Sequence, residues 1–325
     1  MASKSIQHKY FVYFSLAAGG IVLVAFPQFM PVYHTYLLTE VLIYLIFALS
    51  LNLLMGYTGL VSLGHAAFWG TGGYAVALLM SKGVVDNFFL CTGAALLASA
   101  ILACIFGFLA LRTSGVYFIM ITLALGQMLW ALAWRWESFT GGSNGLHGVT
   151  RPDFLASWSQ VNSISFYYLI LIIVIPTILL IYRITTSPFG QTLVGIRENE
   201  PRMQALGYNT WRYKYSCYVL AAIFGALAGA LKVFQDGSIN PGSFSITISG
   251  LVVLMVLTGG AGSFAGPILG ASVVWVIKSI VSSYTSYWGA ALGIILVIIV
   301  MFSPQGITPL LTKPLVKLNQ RLWNP

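Results

Sequence analysis

The chain has 325 residues, of which 58% are hydrophobic and only 7% charged, with 33 glycines and a formal charge of +9. A soluble domain carries about 25% charged residues, so this composition excludes an ordinary soluble domain and points to an all-α polytopic membrane protein. The basic residues are scattered at the ends of apolar runs, where they act as topology signals and form no nucleic-acid surface.

Taken in chain order, apolar runs of spanning length predict helices near 11–31, 35–55, 60–80, 88–111, 115–135, 165–186, 215–234, 245–261, 264–281 and 288–302. The first, "YFVYFSLAAGGIVLVAFPQFM", follows a basic start as a signal peptide would. It is about twenty residues long with no convincing small-x-small cleavage site, and so reads as an uncleaved helix. Glycines interrupt 60–80 and the pair 245–261 and 264–281, where broken or re-entrant helices are expected. About ten spans with both termini inside put Lys4, Lys9, Arg112, Arg183, Arg197, Arg202, Arg212, Lys214, Lys313, Lys317 and Arg321 in the cytoplasm. Only Lys82, Arg135, Arg151, Lys232 and Lys278 then fall outside, the asymmetry expected of N-in and C-in. Residues 1–325 read as one membrane domain, with a Gly- and Ser-rich outer loop after Glu137 and a polar inner loop over about 187–214.

Several chemistries are missing. Cys91, Cys104 and Cys217 lie in apolar segments without metal-ligand spacing and read as inert thiols. No GxxxxGK[ST] loop is present, so the chain does not bind ATP in the usual way. Glu40, Asp86, Glu137, Asp153 and Asp236 sit near predicted outer ends, so no carboxylate stands at a bilayer centre to couple transport to an ion gradient. No cluster of His, Asp or Cys suggests an enzyme.

Charge concentrates at "VGIRENEPRMQALGYNTWRYKYS" in the inner loop. Glu198 to Leu206 are expected to form a short helix closed by Gly207. It presents Arg197, Glu198, Glu200 and Arg202 either to anionic lipid headgroups or to a soluble protein partner. A second segment, "LNLLMGYTGLVSLGHAAFWGTGGYAVALL", carries Gly56, Gly59, Ser62, Gly64 and His65. It suits close helix packing or a bendable transport pathway, and His65 is either a satisfied core histidine or a functional polar group. Third is "FTGGSNGLHGV" in the outer loop, and fourth "VLMVLTGGAGSFAGPILGA", where Gly259, Gly260, Gly262, Gly266 and Pro267 break a helix.

These four motifs, in this order between about 35 and 306, resemble the permeases of bacterial branched-chain amino acid (Liv) ABC importers, the LivM-like branch more than the LivH-like one. In the inner loop the matching residues are Arg197, Glu198, Asn199, Glu200, Ala205, Gly207, Asn209, Tyr213 and Lys214. The resemblance implies that this loop couples to an ATPase and that the Gly-rich segments serve the pathway. It also implies a second, LivH-like permease, two cytoplasmic ATPases that bind ATP and Mg, a periplasmic or lipid-tethered binding protein, and a multi-pass location in the inner membrane. An amino-acid substrate is expected. Urea-transporting members share much of the pattern, and a stand-alone channel or secondary carrier is the competing class.

Overall fold

A computed structural model describes residues 31–83, 85–150 and 163–285, with isolated positions at 27–28, 287, 289–290, 293–294, 297, 301 and 306–308. Most of the helices expected at 11–31 and 288–302, both termini, Arg151 and Asp153 therefore lie outside the described residues. The described chain is mostly helical, with eleven helices, of which six are long and apolar enough to cross a membrane.

Helix α1 (Val32–Asn52) runs on into a π-turn, Leu53–Tyr57. Helices α2 (Ala66–Ser81), α3 (Phe88–Ala110) and α4 (Val116–Arg135) follow, then a short α5 (Glu137–Thr140). Next come α6 (Ser163–Thr186), α7 (Pro188–Glu198), α8 (Glu200–Ala205), α9 (Thr210–Asp236), α10 (Ile246–Gly259) and α11 (Ala265–Tyr284). Each predicted helix within the described residues has a counterpart, but α2 and α10 are shorter than the six spanning helices. Among the described residues six helices thus have the length and apolar composition to cross a bilayer.

Which helices are central follows from their sequence all round the axis. The apolar window of α1 with its π-turn is 83% buried and that of α9 is 72%, whereas the window of α4 is only 22% buried. A helix that is apolar on every face needs either protein or lipid around it. Residues of α3 show how the outer helices divide those duties. Leu97, Ile101, Ile105 and Phe108 face outward, while Cys91, Ala95, Ser99, Ala103 and Gly107 face inward. Small residues let α3 approach α9, where Ser99 Oγ donates to the Ala222 carbonyl at 3.1 Å. Farther along α9, a Cβ on Gly229 would strike the Trp69 carbonyl of α2, and one on Gly72 would strike the Ala226 carbonyl of α9. Here the two backbones touch, and only glycine permits it.

The connections sort into two ends of the bundle. At one end, β1 (Leu146–His147) of the Gly-rich loop pairs antiparallel with β2 (Ser238–Ile239) after α9. Lys82 lies over the Phe139 ring at the same end. At the other end, the π-turn, the loop helices α7 and α8, and the α10–α11 turn come together. Arg112, Arg183, Arg197, Arg202, Arg212 and Lys214 cluster here.

Candidate functional site

The segment expected as a helix from residue 60 does not start one there. Between Tyr57 and Ala66 the chain is irregular, with Gly59 at φ +76°, and α2 begins only at Ala66. The reason lies in packing: a Cβ on Gly64 would strike the backbone carbonyl of Thr122 on α4, so the segment runs against α4 too closely for a helical turn with side chains. Irregular backbone at membrane depth needs burial inside protein, and Ser62, Gly64 and His65 are all buried.

A matching break precedes α10. Following β2, a 3-10 turn (Pro241–Phe244) packs Phe244 on Gly70 and Tyr74, and Ser245 caps α10 by accepting from Ile248 N at 3.4 Å. In the first turn of α10, Ser249 Oγ accepts from Ala66 N at 2.9 Å. Two half-length helices therefore begin side by side deep in the bundle and run toward opposite ends, α2 to Lys82 and α10 to Gly259. Opposed half-helices of this kind are how transporters place irregular backbone around a pathway.

His65 sits at that junction. Its Nε2 is 2.8 Å from Ser50 Oγ, and its ring is stacked on Phe47 and meets Phe68 edge-on. The Ser50 hydroxyl also lies 2.7 Å from the Phe47 carbonyl, and which partner donates in the Ser50–His65 bond follows the imidazole tautomer. Among the described residues neither His65 Nδ1 nor Ser62 Oγ has a hydrogen-bond partner. His65 is thus held by a side chain, Ser50, rather than by backbone.

Both Gly-rich motifs meet at the other end of the junction. Asn52 Oδ1 accepts from Gly262 N and Asn52 Nδ2 donates to the Ser263 carbonyl, both at 3.0 Å, so the end of α1 is clamped to the α10–α11 turn. Gly56 in the π-turn has no room for a Cβ beside Asn52 and Gly262, and Gly260 and Gly262 hold φ of +108° and +84°. Gly259 meets the Gly266 carbonyl, and Pro267 occupies the first turn of α11, where a proline is tolerated. Asn52 and Ser249 were not singled out from sequence. A lone Asn within "LSLNLLMG" was the available signal, since a polar side chain in an apolar helix needs a partner.

The inner loop differs from its expected form. One helix over Glu198–Leu206 is replaced by two, α7 ending at Glu198 and α8 spanning Glu200–Ala205. Pro201 explains the break, because in a continuous helix it has no N–H for the Arg197 carbonyl and its ring would clash with it, and the chain turns out of the helix at Asn199, at φ −158°. Asn199 then caps α8 by accepting from Arg202 N at 3.0 Å, and Asn209 caps α9 by accepting from Arg212 N at 3.2 Å. Gly207, at φ +88°, closes α8 as expected, with Gly207 N bonded to Gln204 O and Tyr208 N to Met203 O.

The charged residues of this loop take different directions. Glu200 pairs with Lys214 at 2.5 Å. Arg197 is exposed as a residue, but its Nη1 reaches in to donate to the Gly56 carbonyl. Glu198, Arg202, Ala205 and Gly207 are exposed as well. No residue of α8 is buried, and Leu206 directly after it is 66% exposed, flanked by exposed Tyr208 and Trp211.

Glu40, expected near an outer end, lies about two turns inside α1 and is buried. It pairs with Lys232 of α9, which also holds Asp236 at 2.9 Å, and Tyr36 OH donates to the same Asp236 oxygen at 3.0 Å. Lys232 thus bridges the two carboxylates. Among the described residues no group of His, Cys, Asp and Glu could hold a metal ion.

An apolar bundle with paired half-helices inside and an exposed polar loop at one end defines a multi-pass membrane permease. The chain belongs to the branched-chain amino acid transport system permease component family, which matches residues 33–301. It is 29% identical to the high-affinity branched-chain amino acid transport system permease protein LivM of Salmonella typhimurium, over 94% of this chain and 76% of that protein. The probable branched-chain amino acid transport permease protein LivM of Methanocaldococcus jannaschii is 25% identical, over 85% of this chain and 94% of its own. LivH of the Salmonella system is 24% identical, over 81% of this chain and 90% of its own. No solved structure matches the chain.

Proposed function

We propose that this chain is the permease subunit of an ATP-driven importer for branched-chain or other neutral amino acids in the bacterial inner membrane. It acts as one membrane domain over residues 1–325, beside a second, LivH-like permease. Two cytoplasmic ATPases supply the energy, and a periplasmic or lipid-anchored binding protein delivers the substrate. The chain itself catalyses no covalent reaction.

The observation that carries the proposal is the exposed loop. Helix α8 buries none of its residues, and Leu206, Tyr208 and Trp211 stand exposed among Glu198, Arg202 and Arg212. An apolar group rimmed by charges fits a protein interface, which lipid headgroups alone would not require. Docked in an ATPase groove, the loop would pass closure of the ATPases into the bundle. The half-helix junction at Ser62, Gly64, His65 and Ser249, and the Gly56–Gly262 contact below it, are the elements whose movement would open the path in turn.

The test is co-purification of the ATPases with the permease, together with substrate-stimulated hydrolysis in liposomes. Leu206→Asp is expected to release the ATPases while the permease inserts normally. It is cleaner than Glu200→Lys, which would also break the internal pair with Lys214. Full retention of ATPase binding and stimulation in Leu206→Asp and in the bulky Gly207→Trp would refute the coupling role.

A further inference from the structure

The loop touches the Gly-rich motifs through one long side chain. Arg197 stands in the last turn of α7, whose Leu193 and Ile196 are buried. Its aliphatic stem passes Gly59, where an added Cβ would lie 3.0 Å from Arg197 Cγ. Its Nη1 donates to the Gly56 carbonyl inside the π-turn, and the same nitrogen crowds the Cβ position of Gly262. None of the ion pairs among the described residues includes Arg197. A guanidinium whose partner is a backbone carbonyl fixes position rather than balancing charge, and such a charge-assisted bond is stronger than a neutral one.

We infer that Arg197 is a positioning residue that carries displacement of the inner loop to the half-helix junction. Three features give it that leverage. Gly56 belongs to a π-turn, a local distortion of the helical ladder that recurs at functional sites. Asn52 already fastens that turn to Gly262 and Ser263, so a pull at Arg197 moves the end of α1 and the α10–α11 turn together. The irregular segment starting at Gly59 then leads in a few residues to Ser62, His65 and the Ala66–Ser249 contact. Glycines at 59 and 262, both at positive φ, leave room for the stem on one side and the guanidinium head on the other.

This assignment deepens the importer reading and rests on it for its purpose, but its geometry can be tested on the permease alone. Cys217 of α9 is buried, and its Sγ donates to the Leu53 carbonyl at 3.2 Å, at the first residue of the π-turn. It is a native reporter of how firmly that turn is held. In a Cys91→Ser, Cys104→Ser background, alkylation of Cys217 by a small membrane-permeant maleimide follows local opening. Arg197→Met keeps the stem and removes the donors. It is expected to speed alkylation on the order of tenfold, Arg197→Lys by less, and the exposed neighbour Arg202→Met not at all. Gly262→Ala, which presses a Cβ onto Nη1, is expected to behave like Arg197→Met.

In the assembled importer, Arg197→Met is expected to keep the ATPases bound and to lower amino-acid uptake on the order of tenfold. Unchanged Cys217 alkylation in Arg197→Met overturns the proposal whatever happens to uptake. Loss of ATPase co-purification in Arg197→Met with alkylation unchanged would make Arg197 a docking residue and overturn it as well. Should Leu206→Asp leave the ATPases bound, the docking reading fails, while the alkylation experiment, which needs no partner, still decides the role of Arg197.

Discussion

Glycine has two separable jobs in this protein, and single residues show which one applies. At Gly64 a Cβ meets the Thr122 carbonyl, so the residue is there for close approach; at Gly93, on α3, a Cβ meets nothing within 4 Å. Gly64→Ala is therefore expected to push the irregular segment off α4 and cost a few kcal/mol, about 1–3 for overpacking of a tight contact. Gly93→Ala is expected to be neutral. Detergent-extracted protein followed by thermal melting on a sizing column distinguishes them, and equal melting curves would return Gly64 to helix filler. His65 calls for a different comparison. His65→Leu keeps the packing between Phe47 and Phe68 but removes the polar edge, and it is expected to leave assembly intact while lowering uptake. Unaltered uptake would make His65 a packing residue only. Sequence could mark both positions but could not separate their roles. Gly64 and Gly93 look alike until a neighbouring backbone is beside one of them.

Among the elements, α1 and α9 are joined twice, by the Cys217–Leu53 bond where α1 runs into the π-turn and by Glu40, Lys232 and Asp236 toward the other end. The Lys232 and Glu40 side chains are only 14% and 10% exposed, so the pair is buried and depends on both partners. Lys232→Met leaves two carboxylates without their cation and is expected to destabilise the bundle by about 3–5 kcal/mol. Replacing all three, with Glu40→Leu, Lys232→Met and Asp236→Asn together, is expected to recover part of that loss, because the two carboxylates go with their cation, while Lys278 nearby loses their attraction. Melting of the two variants against the parent is the measurement. A triple variant as unstable as the single one would mean that the ion pairs themselves hold α1 to α9. The helices were legible as apolar runs, and α3, α4 and α6 fall within a few residues of their expected bounds. The joins were not, since Glu40 and Lys232 are 192 residues apart.

For the whole molecule, the open question is which end of the bundle faces the cytoplasm. Basic residues gather at the end carrying α7, α8 and the π-turn, which the positive-inside rule assigns to the cytoplasm. In a Cys104→Ser background, Leu206→Cys is expected to react with an impermeant maleimide only after the cells are opened. Ser143→Cys, in the Gly-rich loop at the other end, is expected to react in intact cells. The reverse pattern would invert the topology and place the candidate coupling loop outside. Substrate handling is also a property of the whole. Glu40, Lys232 and Asp236 satisfy one another, and the junction around His65 offers only neutral polar groups. A zwitterion leaving water needs partners for both charged ends. The isolated permease is accordingly expected to show no binding at micromolar amino acid, and tight stoichiometric binding there would favour a stand-alone carrier.

By itself the sequence determined the solvent and the class. Long apolar runs with 7% charge can only be satisfied by a bilayer, and four Gly-rich or charged motifs in one order resemble one permease family. It also determined the close of α8 at Gly207, because a left-handed residue after a short helix is a local requirement. Only the tertiary structure decided that α2 starts at Ala66 beside Ser249, that Asn52 clamps Gly262, and that the Arg197 guanidinium reaches the Gly56 carbonyl. Apolar periodicity reports how a segment meets its surroundings on average. Which backbone carbonyl the Asn52 amide or the Arg197 guanidinium reaches depends on partners up to 211 residues away, and those are fixed only when the helices pack.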